Sequence, residues 1–386
     1  MVVSGLSHLR VRVALDVRPV QTRRERRAFL ALPYRLYRGT PWVAPLRRDQ
    51  RALLNPRKNP FFEHGTLTPF LAWRDGRVVG RVAAITNGRY NERHSDGAAF
   101  FGFFDVEDDR EAAVALLDTA REHLAAGGYA RVRGPFSPSF HDVAALLVDG
   151  FDRRPALMMP YNPEYLVGHV EAAGFETILT LSSYHAAWKH LDRQRLARGA
   201  ALVRQRHPGL RLRAADPGLW RQEALVIRDL YARAFDDTPH WVPLSDAEFD
   251  HMERGMREVL DPRLVLILED DGEPVGFFLA LPDANEVLQH NPSGRLFPGA
   301  ISLMLRAKLA PPRTFRTILL GVLPEVRRRG YETILIHELI ERGRLAGYPA
   351  SELGWVMDTN ATLTHAIEKF GGVRDKRYAV VERSAT

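Results

Sequence analysis

Residues Ile318 to Glu332 read ILLGVLPEVRRRGYE. An apolar, strand-like run broken by Gly321 passes through Pro324 into a charged turn and the start of an amphipathic helix. That order suits a phosphate group. The first turn of a helix leaves four backbone N–H groups without intrahelical partners and carries partial positive charge, so an anion is held there. Arg327, Arg328 and Arg329 would add charge-assisted hydrogen bonds, about 1.5–3 kcal/mol each when well formed. Gly330 would let an anion approach the main chain. Taken alone, three arginines and a glycine before a helix are equally an ordinary solvated cap.

Working outward, the chain repeats itself, and the repeat supplies a control. Trp42, Val43 and Pro45 recur as Trp241, Val242 and Pro243. LAWRDGRVVGRVAA (71–84) and VLILEDDGEPVGFFLA (265–280) are both pairs of strand-like runs joined at Asp-Gly, a hairpin signal. Glu111 to Leu124 and Tyr331 to Ala346 have helical apolar spacing, and each leads through glycine to a strand-like run, Ala130 to Val132 and Leu353 to Met357. Each copy then closes with a helix ending in glycine and a last strand: Val167 to Ala173 then Phe175 onward, and Ala361 to Phe370 then Arg377 to Glu382. Each half therefore reads strand, two helices, a meander, helix, strand, helix, strand. The boundary is expected near Lys189 to Arg198, dividing the chain into 1–192 and 193–386. Where the second copy carries its arginines, the first reads GFFDVEDDR (102–110), whose carboxylates would repel a pyrophosphate. The copies differ by two inserts, Pro-rich Gly134 to Tyr165 and Leu281 to Arg313. Long irregular stretches are either sites of substrate contact or surface elaboration.

Composition bounds the answer. A chain of 386 residues, 45% hydrophobic and 26% charged, is long enough for two folded domains. The absence of cysteine excludes disulfides, thiolate metal sites and cysteine nucleophiles, and points to a cytoplasmic protein. Met1 to Val20 scatters Arg10, Arg12, Asp16 and Arg18 among short apolar runs, so neither a signal peptide nor a membrane span can be drawn there. The net charge is +7, but only five of the 54 basic residues are lysine and they are spread along the chain. No nucleic-acid motif accompanies them, and no apolar run long enough to span a bilayer is found elsewhere, so neither a nucleic acid nor a membrane is expected as partner. Histidine spacing gives no metal site, and no GxSxG, Walker or GxGxxG motif occurs.

Val322, Leu323 and Pro324, then Arg327, Gly330 and the apolar series Ile334, Leu335, Leu339 and Ile340, form one motif. Leu353 to Met357, Asn360 and the helix end Glu368, Lys369, Phe370, Gly371 form a second. With these the C-terminal half resembles the GNAT acyltransferase superfamily. Leu281 to Asn285, Gly294 to Pro298 and Met158 to Pro163 are similar to segments of bacterial tandem GNAT proteins. The resemblance implies a mixed α/β fold, a largely antiparallel sheet flanked by helices, in two tandem GNAT-like domains. It implies acetyl-CoA or another acyl-CoA as co-substrate of the C-terminal domain, with a degenerate N-terminal domain serving the acceptor or the structure. Main chain near Leu320 and Val322 would hold the pantetheine, with the Val322 N–H polarising the thioester. Gly321 and Val322 would bulge the strand outward, and the turn Arg327, Arg328, Arg329, Gly330 and Tyr331, with Asn360, would complete the cofactor site.

The chain departs from the family pattern at Glu332, where a small residue is usual, and at Ile367, where a tyrosine often protonates the leaving thiolate. Tyr378 is the expected substitute acid. For the base, Asp283 ranks first, ahead of Glu286, His290 and Asp358. The expected activity is acyl transfer from a CoA thioester to the amine of a small or peptide-like acceptor, the alternative being a non-catalytic CoA-thioester-binding protein. Gly330→Glu is expected to abolish CoA binding and leave the fold intact.

Overall fold

A computed structural model describes residues 14–297 and 300–386. Met1 to Val13 of the N-terminal stretch, and Pro298 of the 294–298 segment, lie outside the described residues. The first half runs β1 (Leu15–Pro19), α1 (Arg23–Leu36), α2 (Arg47–Leu53), β2 (Gly65–Arg74), β3 (Arg77–Asn87), α3 (Gly88–His94), β4 (Ala98–Val106), α4 (Arg110–Ala126) and β5 (Arg131–Gly134). The Pro-rich insert carries the short strands β6 (Phe136–Ser137), β7 (Val143–Ala144) and β8 (Leu146–Asp149), and α5 (Tyr165–Ala172) and β9 (Glu176–Ala187) follow. The second half runs α6 (Arg193–Arg206), β10 (Leu210–Ala214), α7 (Trp220–Ala234), α8 (Asp246–Arg257), β11 (Val265–Asp270), β12 (Glu273–Pro282), α9 (Asn285–Leu288), α10 (Ala300–Leu309), β13 (Thr314–Val322), α11 (Tyr331–Leu345), β14 (Ala350–Met357), α12 (Ala361–Lys369) and β15 (Val373–Ser384).

The two Asp-Gly turns close as two-residue hairpins. Asp75, Gly76, Asp271 and Gly272 all take positive φ, the backbone such turns demand. They set the registers Arg74↔Arg77 and Asp270↔Glu273. Each meander ends in a strand that pairs parallel with the next, β4 with β5 and β13 with β14, through the crossover helices α4 and α11. The buried face of α11, Ile334, Leu335, Leu339 and Ile340, shares a core with Phe277 and Phe315 of the sheet.

The halves exchange their closing strands. The order is β1-β2-β3-β4-β5-β15-β9-β14-β13-β12-β11-β10, a single sheet of thirteen strands once β8 is counted beside β15. β15 lies against β5 of the first half, and β9 lies against β14 of the second. β9 and β15 pair with each other along most of their length. The sheet therefore runs unbroken through both halves, and antiparallel pairs predominate in it. A residue at the centre of β9 or β15 is consequently buried between the halves.

Candidate active site

The strands β13 and β14 stay paired only from Thr314↔Ala350 to Thr317↔Leu353. Beyond that point they separate into a fork. On its other edge β13 remains paired with β12 as far as Gly276↔Val322, with one break in register that skips Ile318. The irregularity thus falls at Ile318, not at Gly321 and Val322. Gly321 answers a different need, since a Cβ there would stand 3.1 Å from Ala234, Phe235 and Phe277. It lets α7 lie close on the strand.

Leu323 N–H donates to the Val275 carbonyl at 2.9 Å. Main-chain groups alternate sides along a strand, so those of Leu319 and Gly321 also face β12, while those of Leu320 and Val322 face the open side of the fork. Among the described residues they have no strand partner there.

At the far end of β13, α11 begins at Gly330, whose φ is 84°, with no side chain capping it. Arg328 also has a left-handed φ of 66°, and both Arg328 and Arg329 are exposed. The other predicted members of this turn are committed elsewhere. Arg327 forms an ion pair with Asp237 and donates to the Ala234 carbonyl at 2.7 Å, tying the turn to the end of α7. That pairing holds the Asp237 carboxyl below its ordinary value. The Tyr331 ring is fully buried and its hydroxyl donates to Asp270 at 2.7 Å, so only its main chain can meet a ligand. The Asn360 carboxamide oxygen accepts from Leu363 N–H at 3.1 Å and caps α12. A Cβ on Gly330 would lie 2.9 Å from Val203 Cγ2 at a strained φ, so Gly330→Glu would perturb the fold and is not the clean test expected from sequence.

The expected bases are also engaged. Asp283 is 2% exposed; it accepts from Leu157 N–H at 2.9 Å and Asn285 N–H at 3.2 Å and faces Arg154 at 2.8 Å. It clasps the first-half insert to the second half. Glu286 accepts from Arg313 and Thr314 N–H, and Asp358 accepts from Ser182 and Arg377. His290 is exposed just past α9. Asp283→Asn keeps the acceptor oxygen but loses the charge that faces Arg154. It is expected to cost about 1–2 kcal/mol in urea unfolding and to leave turnover within about threefold; a general base would cost about a hundredfold or more.

Directly behind the fork lies a buried polar cluster. Arg316 on β13 pairs in register with Glu352 on β14, and both are under 10% exposed. Lys376 and Tyr378 on β15 and Ser183 on β9 complete it. Burial pushes the Glu352 carboxyl up from 4.5 to about 7, with nearby Asp375 adding to the rise and Lys376 and Arg316 opposing it. Burial lowers Arg316 to about 10 and raises the Tyr378 phenol well above 10, so the phenol keeps its proton. Ser183 Oγ, Thr317 Oγ1, Glu352 Oε1, Trp355 Nε1 and Tyr378 Oη are buried with no hydrogen-bond partner among the described residues. Unpartnered buried polar atoms are rare, and five together mark a place where protein groups leave hydrogen-bonding capacity to another molecule. Glu352 was missed in the sequence, although a carboxylate in the middle of the apolar run ASELGWVM was a visible signal.

The first half roofs this cluster. Arg316 donates to the Leu157 carbonyl at 2.8 Å, Asn285 to that of Pro155 at 3.1 Å, and Arg153 pairs with Asp375 at 2.9 Å. Phe140 stands against Trp355, 6.1 Å between ring centres, and Trp355 against Tyr378 at 6.3 Å. One rung along the same face, Leu179 and Val380 pair and line a narrow cavity whose walls combine Phe100, Phe136, Phe140 and Val242 with the polar side chains of Asn87, Tyr90, Arg133, His141 and His240. The Gly134–Tyr165 insert thus sits over the other half's fork. In its own half it fills the equivalent place: a Cβ on Gly102 would lie 1.4 Å from the Phe136 carbonyl oxygen, and Phe103 N–H donates to Ser137 Oγ at 3.1 Å. The acidic run of the first half is also spoken for, Asp105 by Arg81, Glu107 by Arg35 and Arg77, and Asp109 by Arg74. Among the described residues no cluster of three metal-ligating side chains occurs, and no helix is long and apolar enough to cross a membrane.

A forked parallel strand pair, open main-chain groups on one prong and an uncapped helix start beyond it define an acyltransferase fold, built here twice in tandem. The chain belongs to the acetyltransferase (GNAT) family, whose pattern matches residues 225–372. It is 32% identical to a protein of Caulobacter vibrioides named bacterial ceramide synthase, over 96% of this chain and 97% of the relative. It is 28% identical to protein YghO of Escherichia coli, over 95% of each chain. Among solved structures, a tandem GNAT protein from the clavulanic acid biosynthesis pathway superposes with a TM-score of 0.57 at 14% identity, covering 97% of this chain and 99% of that one. A GNAT protein of Sphaerobacter thermophilus superposes with a TM-score of 0.51 at 12% identity, covering 96% of each.

Proposed function

We propose that the protein transfers an acyl group from a coenzyme A thioester to the primary amine of a long-chain amino alcohol, giving an amide and free CoA. The observation that carries this reading is Glu352, a carboxylate buried at the base of the fork in register with Arg316, whose burial raises its hold on a proton. Residues 193–386 hold the thioester, and residues 1–192 supply the roof and one wall of the acceptor site. The open main-chain groups of Leu320 and Val322 bind the pantetheine arm, and Arg328, Arg329 and the start of α11 take the pyrophosphate.

An alkyl ammonium has a pKa of about 10.4 and must lose a proton before it can attack. Glu352 accepts that proton, and a base matched to the working pH contributes about 10²–10⁴-fold. The neutral nitrogen adds to the thioester carbonyl, whose oxygen gains charge and is stabilised by the Val322 N–H. The carbon–sulfur bond then breaks. A thiol pKa near 8.5 lets the thiolate leave without strong acid help, which suits Ile367 in the place of a tyrosine. Tyr378, protonated and buried near Glu352 with its hydroxyl unpartnered, is a proton donor free to meet the substrate.

The acceptor class is argued from two observations. Trp355, Phe140, Leu179 and Val380 give one apolar wall leading away from Tyr378, to a cavity whose other lining includes Tyr90, Arg133, His141 and His240. The Caulobacter relative is named for ceramide, an N-acylated long-chain amino alcohol. The test mixes the protein with acyl-CoA and sphinganine, follows thiol release and identifies the amide by mass. Thiol release that depends on sphinganine supports the reading. Binding of acyl-CoA with no thiol release against any amine would leave the non-catalytic alternative.

A further inference from the structure

The insert between β12 and β13 ends in a helix whose outer face nothing in the chain covers. Phe297 and, on α10, Ile301, Met304, Leu305 and Leu309 are each 54–83% exposed. The four helical positions fall within about 140° of the circumference, while the half-buried Leu303 lies on the opposite side and α10 packs on α9. Elsewhere the exposed large apolar side chains are scattered singly, as is normal. Five in one short segment need a partner.

Charge indicates which partner. No carboxylate occurs between Glu286 and Glu325, whereas Arg295, Arg306, Lys308 and Arg313 are all exposed. Lys308 falls inside the apolar arc, where a long stem can lie on apolar surface and carry its ammonium outward to an anion. A helix of ten residues is about 15 Å long, half the hydrocarbon thickness of a bilayer, so it can lie in an interface and cannot span it. Its far end is fixed, because Glu286 accepts from both Arg313 and Thr314 N–H. An exposed apolar stripe bordered by arginine and lysine on an anchored short helix is the pattern of an interfacial membrane contact.

We infer that α10 and Phe297 dock the protein on the surface of an anionic lipid bilayer, with the apolar stripe in the headgroup boundary and the four basic side chains on lipid phosphates. The absence of a spanning segment had suggested no membrane partner, but an interfacial helix needs no such segment. This docking rests on the surface alone and on no assignment of the amine acceptor, so its failure would leave the catalytic reading untouched.

The test is co-sedimentation of the full chain with vesicles of phosphatidylglycerol and phosphatidylcholine, compared with phosphatidylcholine alone. Binding is expected to be about tenfold stronger to the anionic vesicles and to weaken in about 0.5 M salt. The double variant Ile301→Glu with Leu305→Glu should lose about tenfold or more of that binding while its melting temperature and acyl-CoA affinity stay as in the parent. Absence of binding to anionic vesicles, or equal binding by the variant, would overturn the inference. So would a stable dimer of the parent chain that the variant dissolves, since a second copy would then be what covers the stripe.

Discussion

Glu352→Gln is expected to lower kcat by about 10²–10⁴-fold near pH 7.5 and to leave acyl-CoA affinity within about twofold. The parent rate should rise with pH through about 7, where the carboxyl loses its proton, and level above it. The variant should show no such limb. A separate signature appears in stability. The folded carboxyl holds its proton up to about 7, whereas an unfolded one releases it near 4.5. Between those values the folded state binds more protons, so the parent loses stability as pH rises through that window and stays destabilised above it. Glutamine carries no charge to bury, so the variant should melt above the parent at pH 8 and close to it at pH 4. A catalytically dead but more stable protein is the combination that a purely structural role would not give. Thermal melts at the two pH values with steady-state kinetics decide it, and an unchanged kcat would remove Glu352 from the mechanism.

The second large effect concerns the start of α11. Arg328→Glu combined with Arg329→Glu should raise the Kd for acyl-CoA about a hundredfold or more. Each arginine is worth about 1.5–3 kcal/mol to a bound phosphate, and 1.4 kcal/mol is tenfold. Both side chains are exposed, so stability should move by no more than about 0.5 kcal/mol. Binding to the parent should also weaken with salt, as charge pairing at a surface does. Arg327→Ala is the informative contrast. It breaks the contacts with Asp237 and Ala234 and should disturb the α7 junction more than the affinity. Equal losses at 327 and at the 328–329 pair, measured by equilibrium binding, would contradict the division drawn between them.

Much of the fold was legible because its signals are local. The Asp-Gly turns need only their own φ angles, and the turn from β13 into α11 needs only the chain order of strand, arginines, glycine and helix. What stayed hidden depends on contacts between residues far apart in sequence. The exchange of β9 and β15 between halves follows from pairings such as Val381↔Gly134 and Ala350↔Ala187, which no periodicity encodes. Asp283 looked like a free carboxylate near the cleft because its partners, Arg154 and Leu157, come from the other half. Glu352 was the reverse case. Its position inside an apolar strand was visible, but only the first-half roof of Leu157 and Phe140, the latter against Trp355, reveals that it is buried at the fork. The insert that carries Leu157 and Phe140 was singled out for its irregularity, though not for reaching across to the other half's site.

Calorimetric titration of the full chain with a CoA thioester is the most direct measurement of the central claim, that one half alone carries the donor site. A single site per chain, lost when Arg328 and Arg329 are both changed to glutamate, is the result predicted. Two sites per chain, no site, or one that survives the charge reversal would contradict it.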